Sequence, residues 1–325
     1  MENPVIKEIA TRGNYYFELY SEEECAKCPE KENINLMEKT IVKNCIITGA
    51  NSGIGFQAAK QIASKGYHVT LICRNKQRAE EAVSRILAET HDANVDFLLA
   101  DLSSMEAIKL VVDEYLSINS DLDVLINNAA DFDLSVKTPI MTPDGLEKQF
   151  ATNVVAPYML SMLFMKALKK SGNGRIINIS SQGLCVYPFL KLDMDNLDGS
   201  RHYSPSSTYY QNKLALLMIS LYMREKYQDV KIQAIRVTNV KIDIARYDNL
   251  PGIMKKAYSI KSKFSISPEE MACIYTILVT EDEKNGFMYD EKGKEVKANK
   301  SAYDQETQRR LCLFLKETTG VIEEA

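Results

Sequence analysis

The chain has 325 residues, of which 45% are hydrophobic and 26% are charged, and this composition is that of a globular protein rather than a disordered or fibrous one. Its formal net charge of −4 offers no attraction to a phosphate backbone, so nucleic acid is not expected as a partner. Because the sequence has no apolar run of about 18 residues and no signal-peptide core, we expect a cytoplasmic protein without a transmembrane segment.

Residues 1–39 form an amino-terminal extension without sustained periodicity, and the sequence assigns no role to it. Within it, Cys25 and Cys28 have the spacing of half a zinc site or of a redox pair. The chain has no second pair of this kind and only three histidines, so no metal site is expected. The seven cysteines are scattered through the chain, which favours buried free thiols.

From residue 40 onward, apolar strands alternate with amphipathic helices. Strands are predicted at 41–49, 68–74, 95–101, 123–130, 174–181 and 231–237. Helices are predicted at 55–66, 77–90 and 104–117, and at about 145–170 and 208–227. This alternation predicts an α/β fold in which a doubly wound parallel sheet of the Rossmann type lies between two helical layers. Residues 40–325 are predicted to form this single domain.

A glycine-rich turn, TGANSGIG at residues 48–55, joins the first of these strands to the first helix. Gly49 permits a sharp turn, Gly53 lets the backbone approach a pyrophosphate, and Gly55 allows close packing of the helix. The amino end of the helix offers free N–H groups and a partial positive charge to phosphates. Because no Lys-Ser/Thr pair follows the glycines, the turn favours a dinucleotide over a nucleoside triphosphate.

Arg74 ends the second predicted strand, where NAD sites usually carry Asp or Glu for the ribose 2′-OH. A guanidinium binds a 2′-phosphate through charge-assisted hydrogen bonds, whereas a carboxylate repels it. We therefore predict NADP(H) rather than NAD(H) as cofactor. The alternative is that Arg74 is a solvated arginine at a strand end.

The segment STYYQNK, residues 207–213, places two tyrosines ahead of a lysine. On a helix, Tyr209 lies four residues and Tyr210 three residues before Lys213, and both spacings bring a phenol beside an ammonium. Spacing alone does not decide which tyrosine would exchange a proton.

The glycine turn and five further segments resemble the short-chain dehydrogenase/reductase family, and their order and spacing agree from about residue 40 to the carboxyl terminus. The segments are ADL at 100–102, NNAA at 127–130, ATN at 151–153 and NISS at 178–181, followed by YYQNK. The resemblance implies a catalytic set of Asn153, Ser181, Tyr209 and Lys213, with Ser180 as the less favoured neighbour of Ser181. It also implies cofactor contacts from Gly49, Asn51, Ser52, Gly53, Ile54, Gly55, Arg74, Asp101, Leu102, Asn128, Ala129, Tyr209, Lys213, Asn239 and Val240.

In this family the tyrosine serves as general acid/base, and the lysine lowers its pKa and hydrogen-bonds the nicotinamide ribose. By this resemblance Tyr209 is the catalytic tyrosine and Tyr210 faces away from the site. Asn153 would hold a water molecule that leads protons from Lys213 to solvent.

Tyr209 lies 28 positions after Ser181, and residues 190–218 resemble the insertion of the retinol-dehydrogenase-like subgroup, whose members act on lipophilic alcohols, aldehydes or ketones. The sequence departs from the family where Val237 and Thr238 replace a Pro-Gly pair and Ile242 replaces a threonine that helps to hold the nicotinamide carboxamide. Residues 240–267 fall where the family has its substrate lid.

The resemblance implies an NADP(H)-dependent oxidoreductase that interconverts a carbonyl and an alcohol on a small, lipophilic substrate. Two alternatives remain: a reductase of carbon–carbon double bonds with the same fold, and a non-catalytic protein that senses the dinucleotide. The apolar run LALLMISLYM, residues 214–223, permits a homodimer but is equally typical of a core helix.

Overall fold

The computed structural model describes residues 5–11, 14–20, 42–241 and 265–321. Cys25, Cys28, Ile242 and most of the segment assigned to a substrate lid lie outside these residues. The chain divides into two compact units, and the division lies between Val42 and Lys43.

The first unit contains an antiparallel pair of strands, β1 (Val5–Thr11) and β2 (Asn14–Tyr20). Their register places Val5 opposite Tyr20 and Thr11 opposite Asn14. The sequence analysis did not predict this pair. Its signal is weak because the β-forming aromatic residues of β2 occur without strict alternation of polar and apolar positions.

The second unit contains a seven-stranded parallel sheet, as predicted. Its strands are β3 (Asn44–Thr48), β4 (His68–Cys73), β5 (Asn94–Leu99), β6 (Val124–Asn127), β7 (Arg175–Ser181), β8 (Lys231–Val237) and β9 (Met288–Tyr289). Their order is β5-β4-β3-β6-β7-β8-β9, and each neighbouring pair is parallel. The order reverses between β3 and β6, and such a reversal opens a crevice at the carboxyl ends of the strands.

Helices cover both faces of the sheet. They are α1 (Gly53–Ala63), α2 (Lys76–Glu89), α3 (Met105–Ile118), α4 (Lys148–Phe150), α5 (Ala156–Leu163), α6 (Met165–Lys170), α7 (Pro205–Lys226), α8 (Pro268–Thr280) and α9 (Gln305–Thr319). Adjacent residues of β3 point to opposite faces: Ile47 belongs to a core cluster with α1, α2 and α8, and Ile46 to a second cluster with α3, α5, α7 and α9. The three-layer Rossmann fold predicted from the alternating pattern is therefore confirmed.

The long helix predicted at about 145–170 is interrupted. After α4 the chain makes a π-helical turn, Ala151–Val155, and then continues as α5. A second interruption separates α5 from α6 at Phe164. A π turn inside a helix often marks a functional position, and this one carries Asn153.

The apolar run at residues 214–223 lies in α7, and most of its side chains are buried within this one chain. The core therefore accounts for the run without a second copy. Across the described ranges, no helix combines the length and the apolar character needed to cross a lipid bilayer.

Candidate active site

A cavity of about 760 Å³ lies at the carboxyl ends of the central strands, where the strand order reverses. It is bordered by the glycine turn after β3, by α2, by the ends of β6, β7 and β8, and by α7 and α8. The predicted site residues in its wall are Asn51, Ser52, Gly53, Ile54, Asn128, Ser181, Tyr209, Lys213, Asn239 and Val240. A volume of this size suits a cofactor or a drug-sized ligand.

The amino end of α1 faces this cavity without a side-chain cap. Gly49 and Gly53 adopt left-handed backbone conformations, with φ of +64° and +62°, and these turn the chain from β3 into the helix. Ser52 occupies the N-cap position but makes no capping hydrogen bond, whereas Asn75 caps α2. The N–H groups of the first turn of α1 are thus available to an anion, as the sequence predicted for phosphates.

Gly55 lies where α1 packs against Asn128, the residue after β6, and against the glycine turn. A Cβ atom at this glycine would lie 2.5 Å from Asn128 Nδ2 and 3.0 Å from both Ala50 Cα and Gly49 O. A side chain fits there only if Asn128 and the glycine turn shift.

Gly55→Ala is therefore expected to lower the free energy of unfolding by about 1–3 kcal/mol, because overpacking displaces Asn128 and the turn. It should also weaken NADPH binding in a fluorescence titration. Ser64→Ala, at the far end of α1, is the matched control and should change neither quantity. Binding by the Gly55 variant equal to wild type would contradict the role assigned to this close approach.

Asn128 is held in the cavity wall from two directions. Its Nδ2 donates to Thr48 O at 2.9 Å, and the Thr48 Oγ1 accepts hydrogen bonds from the N–H groups of Asn128 and Ala129, both at 2.9 Å. On the other side, Tyr275 Oη donates to Asn128 Oδ1 at 3.1 Å. Tyr275 comes from α8, is fully buried and lines the cavity, and no sequence motif indicated it.

Arg74 follows β4 and is exposed, and it is not among the residues that line the cavity. The described wall instead contains Arg78 and Arg85 from α2, which the sequence analysis did not assign. Arg85 lies over the ring of Phe56, with its Cζ 4.4 Å from the ring centroid. Arg78 therefore places a cationic group in the cavity wall itself, as Arg74 does not.

Asp101, from the segment predicted to contact adenine, interacts electrostatically with Arg74. Burial acts to raise the pKa of its carboxyl, but hydrogen bonds from Ser103 and the charges of Arg74 and Lys148 lower the pKa overall. Gly49, Gly55, Asp101, Leu102, Ala129 and Asn153 are likewise not among the lining residues.

The structure separates the two tyrosines. Tyr209 lines the cavity and is hydrogen-bonded to Ser181, and the Lys213 Nζ lies 5.6 Å from the centroid of its ring. Tyr210 is outside the lining, where its ring contacts Tyr187 at a centroid distance of 4.9 Å. Tyr209, Ser181 and Lys213 are therefore brought together, and Tyr210 turns toward the loop after β7.

Burial shifts the pKa values of both Tyr209 and Lys213. It raises the pKa of Tyr209 well above the ordinary value; Tyr210 acts in the same direction, and the hydrogen bond with Ser181 opposes them. Burial lowers the pKa of Lys213 from 10.5 to about 8. Lys213 is not among the groups that shift the pKa of Tyr209 in this structure, and its role in lowering that pKa stays a prediction. Lys213 Nζ donates to Ile179 O at 2.7 Å, and the desolvation of the phenol dominates.

Asn153 sits in the π turn, and its amide group makes a reciprocal pair of hydrogen bonds. Its Nδ2 donates to Asp131 O at 2.8 Å, and its Oδ1 accepts from the Asp131 N–H at 2.7 Å. The next residue, Phe132, stacks on Tyr209 at a centroid distance of 4.3 Å. Asn153 thus fixes the loop that places an aromatic ring on Tyr209, a function that its motif did not indicate.

Thr238, which stands where the family pattern has glycine, also contributes to the wall. Its Oγ1 donates to Gln182 Oε1 at 2.6 Å and so ties the end of β8 to the turn after Ser181.

Comparison with known proteins agrees with this arrangement. Residues 43–191 match the family model described as short chain dehydrogenase. Polyprenol dehydrogenase of Homo sapiens is 31% identical over 288 residues, covering 86% of this chain and 85% of that protein. Retinol dehydrogenase 13 of Homo sapiens is 30% identical, covering 87% of this chain and 85% of that protein.

The chain belongs to the short-chain dehydrogenase family. Within the family it is similar to the retinol dehydrogenases, as the sequence analysis expected. A metagenomic short-chain oxidoreductase solved in complex with NADP has the same fold, with a TM-score of 0.56 and 22% identity over 78% of this chain and 96% of that chain. The chain is thus an oxidoreductase of a family that uses nicotinamide dinucleotides.

Proposed function

We propose that this protein is an NADP(H)-dependent oxidoreductase that interconverts a carbonyl compound and its alcohol, with Tyr209 as general acid/base. The observation that carries the proposal is the hydrogen bond between Tyr209 and Ser181, beside buried Lys213, in the cavity that the glycine turn borders. The names of polyprenol dehydrogenase and retinol dehydrogenase 13 support a lipophilic alcohol or carbonyl as substrate.

The residues around the glycine turn suit a dinucleotide. The uncapped amino end of α1 and the open space in front of Gly53, where a Cβ would meet nothing within 4 Å, leave room and N–H donors for a pyrophosphate. Asn128 and Lys213 lie along the same wall and would hold the ribose and nicotinamide part. When bound, the nicotinamide supplies a hydride to the carbonyl carbon.

The side chains then manage the proton and the developing negative charge. Ser181 donates a hydrogen bond to the carbonyl oxygen and polarises it. Tyr209 gives its proton to that oxygen as it becomes an alkoxide, which yields the alcohol. Because burial raises the pKa of Tyr209, the phenol is protonated at neutral pH, as a proton donor must be for carbonyl reduction.

The function is tested by turnover of neutral aromatic, retinoid and steroid carbonyls with NADPH and with NADH. Formation of the alcohol with oxidation of NADPH supports the proposal. Product analysis with an enone separates the alternatives: an allylic alcohol supports carbonyl reduction, whereas a saturated ketone indicates reduction of the carbon–carbon double bond. Tight cofactor binding with no turnover of any carbonyl or enone favours a sensing role.

The cofactor preference is tested at Arg74. Arg74→Ala is expected to raise the Kd for NADPH about tenfold and to leave the Kd for NADH nearly unchanged, because only the 2′-phosphate loses a charged partner. Arg78→Ala is the matched variant from the cavity wall. Fluorescence titration of each variant with both cofactors gives the comparison. Loss of the NADPH preference in Arg78→Ala alone would transfer the assignment from Arg74 to Arg78.

A further inference from the structure

A second cavity, of about 250 Å³, lies on the other side of Ser180 and Ser181 from the first, and both cavities include these two serines. It is enclosed by the turn after β7, by the end of β8 and by the segment before the 3₁₀ helix Lys300–Tyr303. Its volume is below the range of whole drug-sized ligands, so it suits one end of a molecule.

The wall of this second cavity is positively charged. Arg236, Lys297 and Lys300 line it, and of the described residues no carboxylate does. The nearest acidic partner of Arg236 is Asp290, whose Oδ2 lies 3.8 Å from Nη2, beyond hydrogen-bond distance. The other carboxylate oxygen of Asp290 accepts hydrogen bonds from the N–H groups of Lys292 and Lys294, so its ion pair with Arg236 offsets one of the three positive charges of the wall and leaves the wall net positive.

Two residues of the cavity wall, Ser180 and Arg236, each carry a buried polar atom without a hydrogen-bond partner. Ser180 is 2% exposed, and neither its Oγ nor the Nε of Arg236 has a hydrogen-bond partner among the described residues. Ser180 and Arg236 are opposite each other in the register of β7 and β8, so their side chains leave the sheet on the same face. An unpaired buried donor is costly, and an acceptor group that reaches either atom would remove that cost.

We propose that this cavity binds an oxyanion, a carboxylate or a phosphate, that is carried by the substrate. The inference rests on the proposed function and refines its substrate to an amphiphilic carbonyl or alcohol. The reacting carbon lies beside Ser181 and Tyr209, and the anionic group lies against Arg236 and Ser180. Leu217 and Met288 form the apolar part of the same wall.

Cys185 provides a probe of this site that does not depend on turnover. It is an exposed free thiol that lines the cavity, and its Sγ lies 3.7 Å from Arg236 Nη1. The measurement is the rate of alkylation by anionic iodoacetate divided by the rate with neutral iodoacetamide, read by mass spectrometry of the Cys185 peptide. Because both reagents attack the same thiolate, the ratio cancels changes in thiol reactivity and reports attraction of the anion.

The ratio at Cys185 is expected to exceed that at Cys273, an exposed thiol on α8, by about tenfold. Arg236→Gln should reduce the ratio at Cys185 to that of Cys273, and Arg236→Lys should restore part of it. The double variant Lys297→Gln/Lys300→Gln changes only exposed residues and is the alternative where the Arg236 variants do not fold. Equal ratios at the two cysteines of the wild type overturn the proposal.

The substrate arm compares a carbonyl compound that ends in a carboxylate with its methyl ester. A higher kcat/KM for the carboxylate, reduced in Lys297→Gln/Lys300→Gln, supports the proposal. If the ester is turned over but the iodoacetate-to-iodoacetamide rate ratio at Cys185 equals that at Cys273, the proposed function holds and the anion site is overturned. A high Cys185 ratio with no carbonyl turnover supports the anion site while the proposed function fails. Protection of Cys185 by inorganic phosphate, without preference for the carboxylate, overturns a substrate-borne anion in favour of a free one.

Discussion

Tyr209→Phe is expected to lower kcat for carbonyl reduction by about 10²–10⁴-fold, the usual contribution of a positioned acid or base. The ring keeps its contact with Phe132, whose centroid lies 4.3 Å away, so the fold and the Kd for NADPH should change little. What is lost is the proton and the hydrogen bond with Ser181. Steady-state kinetics with saturating NADPH, together with a cofactor titration, give both quantities.

Tyr210→Phe is the matched control, since it removes the same hydroxyl from the adjacent residue. Tyr210 packs over Gly183 and Tyr187 outside the cavity, so the kcat of the Tyr210→Phe variant should remain close to that of wild type. If Tyr210→Phe abolishes turnover and Tyr209→Phe does not, the assignment of the proton donor is reversed.

Lys213→Met is expected to abolish turnover while making the protein more stable at pH 7. Burial lowers the pKa of Lys213 from 10.5 to about 8, and a shift of this size corresponds to a penalty of about 3 kcal/mol for the buried ammonium. Methionine removes that penalty but loses the hydrogen bond to Ile179 O, which is worth about 1 kcal/mol. The net gain is about 1–2 kcal/mol in the free energy of unfolding.

The pH dependence of the stability gain in Lys213→Met shows whether the gain comes from removal of the buried charge or from better packing. The folded protein holds the lysine proton less tightly than the unfolded chain, so the penalty is fully present below pH about 8 and disappears as the pH rises past 10.5. The stability difference between variant and wild type, measured by denaturant unfolding at several pH values, should therefore shrink toward high pH. A difference independent of pH would contradict the buried charge as its source.

The alternating pattern was sufficient to predict the central sheet. Strand β8 was predicted at 231–237, with the bounds that the structure has, because its apolar residues are bounded by polar ones. The prediction of one continuous helix at about 145–170 missed the π turn at Asn153, because nothing in the local sequence distinguishes such a turn from continuous α-helix. Strand β9 is only two residues long and has no period to detect.

The candidate site was predictable where a motif encodes a backbone requirement. The glycine turn is such a case, since the conformation of Gly53 and the close approach at Gly55 follow from local chemistry. Tyr275 was missed because Asn128, its hydrogen-bond partner, lies 147 residues away in the chain, and the packing of α8 against α1 places Tyr275 there. Arg78 was missed because a helix surface and a cavity wall have the same sequence pattern.

The uncapped amino end of α1 makes the stability of the folded chain depend on the dinucleotide that binds there. Asn75 completes the first turn of α2, but α1 has no side chain that does so, and a phosphate group would act as its missing cap. A dinucleotide present at about 100 times its Kd would stabilise the folded chain by about 2.7 kcal/mol. Cells depleted of the dinucleotide would therefore hold a larger unfolded fraction open to proteolysis, and the abundance of this protein would follow the supply of its own cofactor.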